Sequence, residues 1–231
     1  MLIFVDIQTT GLEKADKIVS IGLVVVDGEN FFHMYDEVNE GKKIPPKASS
    51  IHHITNEMLK NKPEFKQSDS YKFLEQNNLE STTLIGHNIK FDIEKLSGSG
   101  FDFVGKMIDT LKVTKHLIPE CERFSLQFLR YELKLYRQET QKFCSHHALG
   151  DAFTLKFLFE YLADMTTIEN MYLLSFKHVL MQKFEFGKYA DRYIEEISMN
   201  DKGYLEWMLG NIMDLDEDLR YSINYYLEGK L

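Results

Sequence analysis

The chain has 231 residues, 36 acids against 27 lysines and arginines for a net charge of −9, and it is 44% hydrophobic and 13% aromatic. That is enough apolar material for one ordinary domain plus a small appendage, which excludes wholesale disorder. No apolar stretch approaches the roughly 20 residues of a membrane helix, the start MLIFVDIQTT lacks a secretory-signal pattern, and Cys121 and Cys144 show no metal-site or disulfide-framework spacing.

These features imply a cytoplasmic protein with no membrane partner. The acidic total argues mildly against broad electrostatic capture of nucleic acid. It does not exclude a nuclease, because carboxylates that hold cations count as negative until the cations bind.

In chain order, residues 2–7 (LIFVDI), 18–27 (IVSIGLVVVD) and 30–38 (NFFHMYDEV) read as strands. The Asp27-Gly28-Glu29 turn signal between the last two suggests an antiparallel meander. Residues 41–47 (GKKIPPK) read as a loop, since neighbouring prolines continue neither strand nor helix. Short helices are expected around 55–60 and 65–77, and a fourth strand at 82–86 (TTLIG). A helix capped by Asn88 should stop at the Gly98-Ser99-Gly100 breaker. A fifth strand at 104–109 leads into a helix to about His116. Ser125 can cap a helix over 126–134. The longest helix, from about 147 to 164, has an apolar face of Leu149, Phe153, Phe157, Leu158 and Leu162. Three strands followed by alternating helices and strands predict an α/β layered domain with a mixed sheet. A boundary falls at 166–178, and the tail, 179–231, has no repeat and no low-complexity tract.

Three short patterns carry chemistry. In IFVDIQTTG (3–11), Asp6 and Gln8 lie two apart on a strand and face the same side, so they can share one metal. Thr9-Thr10-Gly11 would then turn the chain close to a ligand. In GHNIKFD (86–92), Asn88 and Asp92 are four apart on one helix face. In SHHALGDAF (145–153), His146 and Asp151 would stand about 140° apart on a continuous helix. His146 is therefore placed in the loop before it, as a general base beside a helix-mounted acid. Each pattern alone competes with a plain reading as a strand-end acid, a helix cap or a solvated helix start. Together they describe clustered carboxylates that require cations. Oxygen ligands select Mg²⁺ or Mn²⁺. Two such ions about 4 Å apart can hold a phosphodiester and activate water.

The same residues resemble the DEDDh family of 3′–5′ exonucleases. Asp6 falls on its D-x-E-T motif, Asp92 on N-x-x-x-D, and His146 and Asp151 on H-x-A-x-x-D; IHHIT (51–55) is similar to its I-H-x-I-T segment. The tail FEFGKYADRYIEEI…KGYLEWML…YYLEGKL is similar to that of the exodeoxyribonuclease X branch.

The resemblance implies a ribonuclease-H-like mixed sheet flanked by helices over 1–165, a linker over 166–178 and a small helical, aromatic C-terminal module over 179–231. It implies a metal-dependent hydrolase releasing nucleoside monophosphates from DNA 3′ ends, single-stranded or frayed duplex, in DNA repair. Asp6, Gln8 and Asp151 would hold one ion, Asp6 and Asp92 a second, with His146 as general base. Main chain at Thr9, Thr10 and Leu12 and the Asn88 region would contact the terminal nucleotide. The alternatives are an exoribonuclease acting on RNA and a catalytically inactive module that binds nucleic-acid ends.

The family has Glu where this chain has Gln8. An amide keeps the shape and a carbonyl oxygen but not the charge. An engineered trap, a natural enzyme with altered metal binding, and a non-cutting binder are all consistent with it. His52 and His53 are read as loop histidines that either border the pocket or face solvent. Leu12 can meet a base or join the core. Asp109 reads as a helix cap that can alternatively support a metal-holding acid from behind, and Lys42, Lys43 and Lys47 as a solvated loop rather than a phosphate contact. The tail tyrosines and Trp207 are expected to form packing.

Overall fold

The β-rich segments gather into one mixed sheet. In this computed structural model, which describes residues 1–139 and 145–229, the strands are β1 (Leu2–Thr9), β2 (Ile18–Asp27), β3 (Asn30–Glu37), β4 (Thr83–Gly86) and β5 (Lys106–Asp109). Their order is β3-β2-β1-β4-β5. The first three form the antiparallel meander; β4 and β5 run parallel to β1. Gly28 closes the β2–β3 turn at φ +61, a backbone state that glycine adopts without strain.

The strand period of two divides β1 cleanly. Ile3, Val5 and Ile7 enter a core with Leu74, Leu84, Ile89 and Leu96. Phe4, Asp6 and Gln8 take the other face, where Phe4 meets Phe159 of the long helix edge to face at 5.3 Å.

The helices are α1 (Pro46–His52), α2 (Asn56–Leu59), α3 (Asp69–Gln76), α4 (Ile89–Gly98), α5 (Thr110–Leu117), α6 (Leu126–Glu132), α7 (Ala148–Ala163) and α8 (Ile168–Ser175). Hydroxyl caps start four of them. Thr55, Ser68, Ser125 and Thr167 accept the N–H groups of Met58, Tyr71, Phe128 and Asn170.

Several expectations change. Residues 46–52 are helical, not loop: Pro46 sits at a first-turn position, where its missing N–H removes no helical bond. Asn88 precedes α4 as expected but has φ +68 and makes no side-chain cap bond. The stretch 166–178, read as a linker, contains α8, whose Ser175 hydroxyl accepts the Asp109 N–H at 2.9 Å. Cys144 lies outside the described residues.

Met1–Val113 with Glu122–Ser175 form one compact unit, and Thr114–Cys121 with Phe176–Leu231 a second. In the second unit α9 (Ile194–Asn200), α10 (Lys202–Asn211) and α11 (Glu217–Leu227) enclose Phe184, Ile194, Ile197, Leu205, Met208, Leu219 and Ile223. Tyr189, Tyr204 and Tyr226 pack on that core, whereas Tyr193 and Trp207 are exposed. Asp216 starts α11 by accepting the Asp218 and Leu219 N–H groups, each at 3.0 Å. Among the described residues, no helix is long and apolar enough to cross a membrane.

Candidate active site

β1 pairs with β4 only over Leu2–Phe4 yet continues to Thr9. The pairing stops at Phe4 and β4 ends at Gly86, so main-chain groups further along that edge of β1 need other partners. Asp92, in the first turn of α4, fills the split. It is 5% exposed, and its carboxylate accepts the Ile7 N–H.

The opposite approach depends on a glycine. Asp6 on β1, Gly22 on β2 and Tyr35 on β3 are register partners, so they form one row on one face of the sheet. α7 begins over that row. A Cβ at Gly22 would stand 2.5 Å from the Ala148 carbonyl oxygen, so only a bare backbone admits the helix here. His147 stacks on Tyr35 at 4.5 Å between centroids, and its Nδ1 accepts the Gly150 N–H at 3.4 Å. Asp151, 5% exposed, is thereby carried into the first turn of α7 beside Asp6.

Electrostatics record the convergence. Burial pushes the Asp6 carboxyl well above the usual range, and the charges of Asp151 and Asp92 push it further, opposed by the Gln8 amide. Burial and the charge of Asp109 raise Asp92 likewise. Asp151 is pushed up to about 7 by burial, against the Gln127 amide, the Arg130 charge and the His146 N–H. The main chain of His146 is therefore bonded to Asp151. His146 has φ +61 and its side chain is exposed.

Asp6, Asp92 and Asp151 thus come together from β1, α4 and α7, with the Gln8 amide on Asp6 and the His146 main chain on Asp151. Thr9 and Thr10 point elsewhere: both are buried, Thr9 donates its hydroxyl to the Gly11 carbonyl at 2.6 Å, and Thr10 donates to Asp16 at 2.8 Å. Leu12 is 84% exposed, which settles it as no core residue. Asn88 is held by its N–H on Asp109 at 3.0 Å.

Other readings shift as well. Asp109 does accept the Leu111 N–H at 2.9 Å as a helix-start cap, but it is also buried against Asp92. His52 lies at a helix end and is 6% exposed; His53 is exposed. The His52 Nδ1 accepts the Ile54 N–H at 3.1 Å, which leaves Nε2 as the donor, and burial lowers its pKa. Lys42 is drawn to Asp16 at 2.7 Å. Gly22 and Gln127 lie outside the three sequence patterns. A glycine inside an apolar strand is a signal of close backbone approach; nothing marked Gln127.

Two amides hold these carboxylates. The Gln8 Nε2 donates to Asp6 Oδ2 at 2.8 Å, and the Gln127 Nε2 donates to Asp151 Oδ1 at 2.5 Å. Among the described residues no three His, Cys, Asp or Glu side chains are placed to hold an ion as they stand. The donor chemistry nevertheless fits a hard divalent cation: carboxylate oxygens from three elements, sequestered from water and mutually repelling. An ion at Asp6 would oppose the Gln8 N–H and favour the amide turned to present its oxygen.

A mixed sheet split between β1 and β4, with acids from β1, α4 and α7 at the split, defines the ribonuclease-H-like class of nuclease fold. Family comparison agrees. The exonuclease family model matches residues 3–159, and an exodeoxyribonuclease X-like C-terminal model matches residues 184–213. The chain belongs to this exonuclease family, as a 3′–5′ exonuclease, and its members generally use divalent metals. It is similar to exodeoxyribonuclease 10 of Escherichia coli strain K12, 29% identical over 99% of this chain and 100% of that protein. It is 34% identical to the DNA polymerase III subunit epsilon of Rickettsia prowazekii over 65% of this chain and 68% of that one. Among solved structures, exonuclease X in complex with 5′-overhanging duplex DNA matches with a TM-score of 0.63 and 26% identity, covering 76% of this chain and 99% of that one.

Proposed function

We propose that the chain is a cytoplasmic 3′–5′ exodeoxyribonuclease that uses two Mg²⁺ or Mn²⁺ ions and releases nucleoside monophosphates from DNA 3′ ends during repair. One observation carries the site assignment: Asp6, Asp92 and Asp151 converge at the split end of β1, with the His146 main chain bonded to Asp151. The DNA substrate rests on the similarity to exodeoxyribonuclease 10 and to exonuclease X in its DNA complex. We assign catalysis to the first compact unit. The tail that resembles the exodeoxyribonuclease X C-terminus is the accessory module.

In this reading Asp6, Asp151 and the Gln8 carbonyl oxygen hold one ion, and Asp6 and Asp92 the second. When bound, the ions polarise the scissile phosphate and lower the pKa of the attacking water. His146 takes the water's proton from its exposed loop position before α7. Leu12 lies against the terminal base, and main chain at Thr9 and the Asn88 turn fixes the terminal sugar. The Thr10 side chain braces the loop through Asp16.

A second reading rests on Gln8, whose N–H now serves Asp6 and whose neutral amide weakens ion binding. Under it the protein binds DNA ends without cutting. Stepwise loss of 3′ nucleotides, read as shortening of 5′-labelled single-stranded DNA, separates the two, run in Mg²⁺ and in Mn²⁺ with Gln8→Glu and Asp151→Ala beside the parent. Release by the parent, abolished by Asp151→Ala, supports the enzyme. End binding with release only after Gln8→Glu supports the binder. Faster release from a matched RNA strand would reassign the substrate.

A further inference from the structure

Gln127 lies on α6, outside every motif that defines the site, yet its amide touches Asp151. The contact is one part of an ordered chain. Arg130 grips Glu139 with two bonds, Nε to Oε1 at 2.5 Å and Nη2 to Oε2 at 2.6 Å. Its third donor, Nη1, reaches Gln127 Oε1 at 3.3 Å. Gln127 Nε2 then donates to Asp151 Oδ1 at 2.5 Å. Gln127 and Arg130 are three apart on a helix, so they share a face.

An amide beside a carboxylate can present its oxygen or its nitrogen, and only the nitrogen attracts. A guanidinium offers donors alone. By occupying Gln127 Oε1, Arg130 leaves the amide one orientation, donor toward Asp151. The Arg130–Glu139 pair is itself well shielded, with side chains 13% and 12% exposed, so the arrangement is less screened than a surface ion pair. Through Glu139, Arg130 and Gln127 the run of bonds ends on the carboxylate that also accepts the His146 N–H.

We infer that Gln127, oriented by the Arg130–Glu139 pair, is a positioning residue that fixes the rotation of the Asp151 carboxylate for metal binding. The inference rests on the assignment of Asp151 as a metal ligand. Outer partners of metal ligands typically govern about 10–100-fold of affinity when removed.

The test is Mn²⁺ binding measured by electron paramagnetic resonance on the full chain, without DNA, for the parent, Gln127→Leu, Arg130→Met, their double variant and Asp151→Asn. Circular dichroism in chelator at the titration temperature confirms that each variant is folded. Gln127→Leu is expected to weaken Mn²⁺ about tenfold. Arg130→Met should weaken it in the same direction, and the double variant should be no weaker than Gln127→Leu, as expected of two groups acting in series. Parent-like affinity in Gln127→Leu, with Asp151→Asn weakened, overturns the inference and leaves the proposed function standing. Parent-like affinity in Asp151→Asn overturns both. Additive losses in the double variant overturn the orienting role of Arg130.

Discussion

Gly22→Ala adds one methyl group, and the structure says where it goes. The new Cβ would stand 2.5 Å from the Ala148 carbonyl oxygen, where ordinary contact begins at 3.4 Å, a shortfall of 0.9 Å, and it would stand closer still to the Leu149 N. The obstacle is helix backbone, so no side-chain rotation relieves it. α7 must lift from the sheet by about that amount, taking Asp151 away from Asp6, while the rest of the helix stays anchored by Phe159 on Phe4. A misplacement of about 1 Å in reacting geometry costs on the order of a hundredfold in rate. Overpacking of this kind costs about 1–3 kcal/mol of stability. In a unit of this size that lowers the melting temperature by about 2–12 °C. Mononucleotide release in Mn²⁺, paired with a thermal melt, reads both effects. We expect a rate loss near a hundredfold in protein that is still folded at assay temperature. Parent-like release from a folded Gly22→Ala protein would refute the claim that this glycine sets the Asp6–Asp151 approach.

Three further outcomes follow from the same geometry. In chelator the folded chain should lose stability as pH rises from about 4 to about 7, because Asp151 is pushed from 3.8 to about 7 and binds more protons folded than unfolded. The loss is on the order of a few kcal/mol, and Mg²⁺ should reverse it increasingly at higher pH; melts at pH 5 and pH 8, with and without the ion, check the sign. Gln8→Glu should lower stability in chelator by adding a like charge beside Asp6, yet raise Mg²⁺ affinity on the order of 10–100-fold; calorimetric titration reads the second, a melt the first. Leu12→Ala should leave the melt unchanged, since the side chain is 84% exposed, and raise KM roughly tenfold by removing about 1.5 kcal/mol of apolar contact with the terminal nucleotide.

The strands and the acids were legible because each follows a local rule. Period-two apolarity marks β1 and β2, and the Asp27-Gly28-Glu29 turn joins the meander. The order Asp6, Asp92, His146–Asp151 follows the family's motif order, and the two later acids fold within electrostatic reach of Asp6. What stayed hidden depends on partners distant in sequence. Pro45-Pro46 signals a break, but Pro46 opens a helix, because the first helical turn tolerates a missing N–H. That helix carries His52 inward instead of leaving it in a loop. Asp109 looks like any helix-start acid until α4 brings Asp92 beside it. Gln127 is one polar residue on a short helix, and only the placement of α6 gives it Asp151 as a neighbour.

The amide at position 8 acquires a physical sense from these surroundings. A glutamate there would add a further negative group to Asp6, Asp92, Asp109 and Asp151, all raised by burial and the first two also by neighbouring charge. Gln8 instead supplies a hydrogen bond to Asp6 at 2.8 Å, as Gln127 does to Asp151. At position 8 the donor steadies a carboxylate that its neighbours repel, so the metal-free fold is stabilised by the same Gln8 amide that weakens the hold on a cation. Stability without metal and affinity for metal are therefore opposed at one side chain. Gln8→Glu should exchange one for the other, and a variant that gained both would show that the Asp6–Gln8 bond carries no part of the fold's stability.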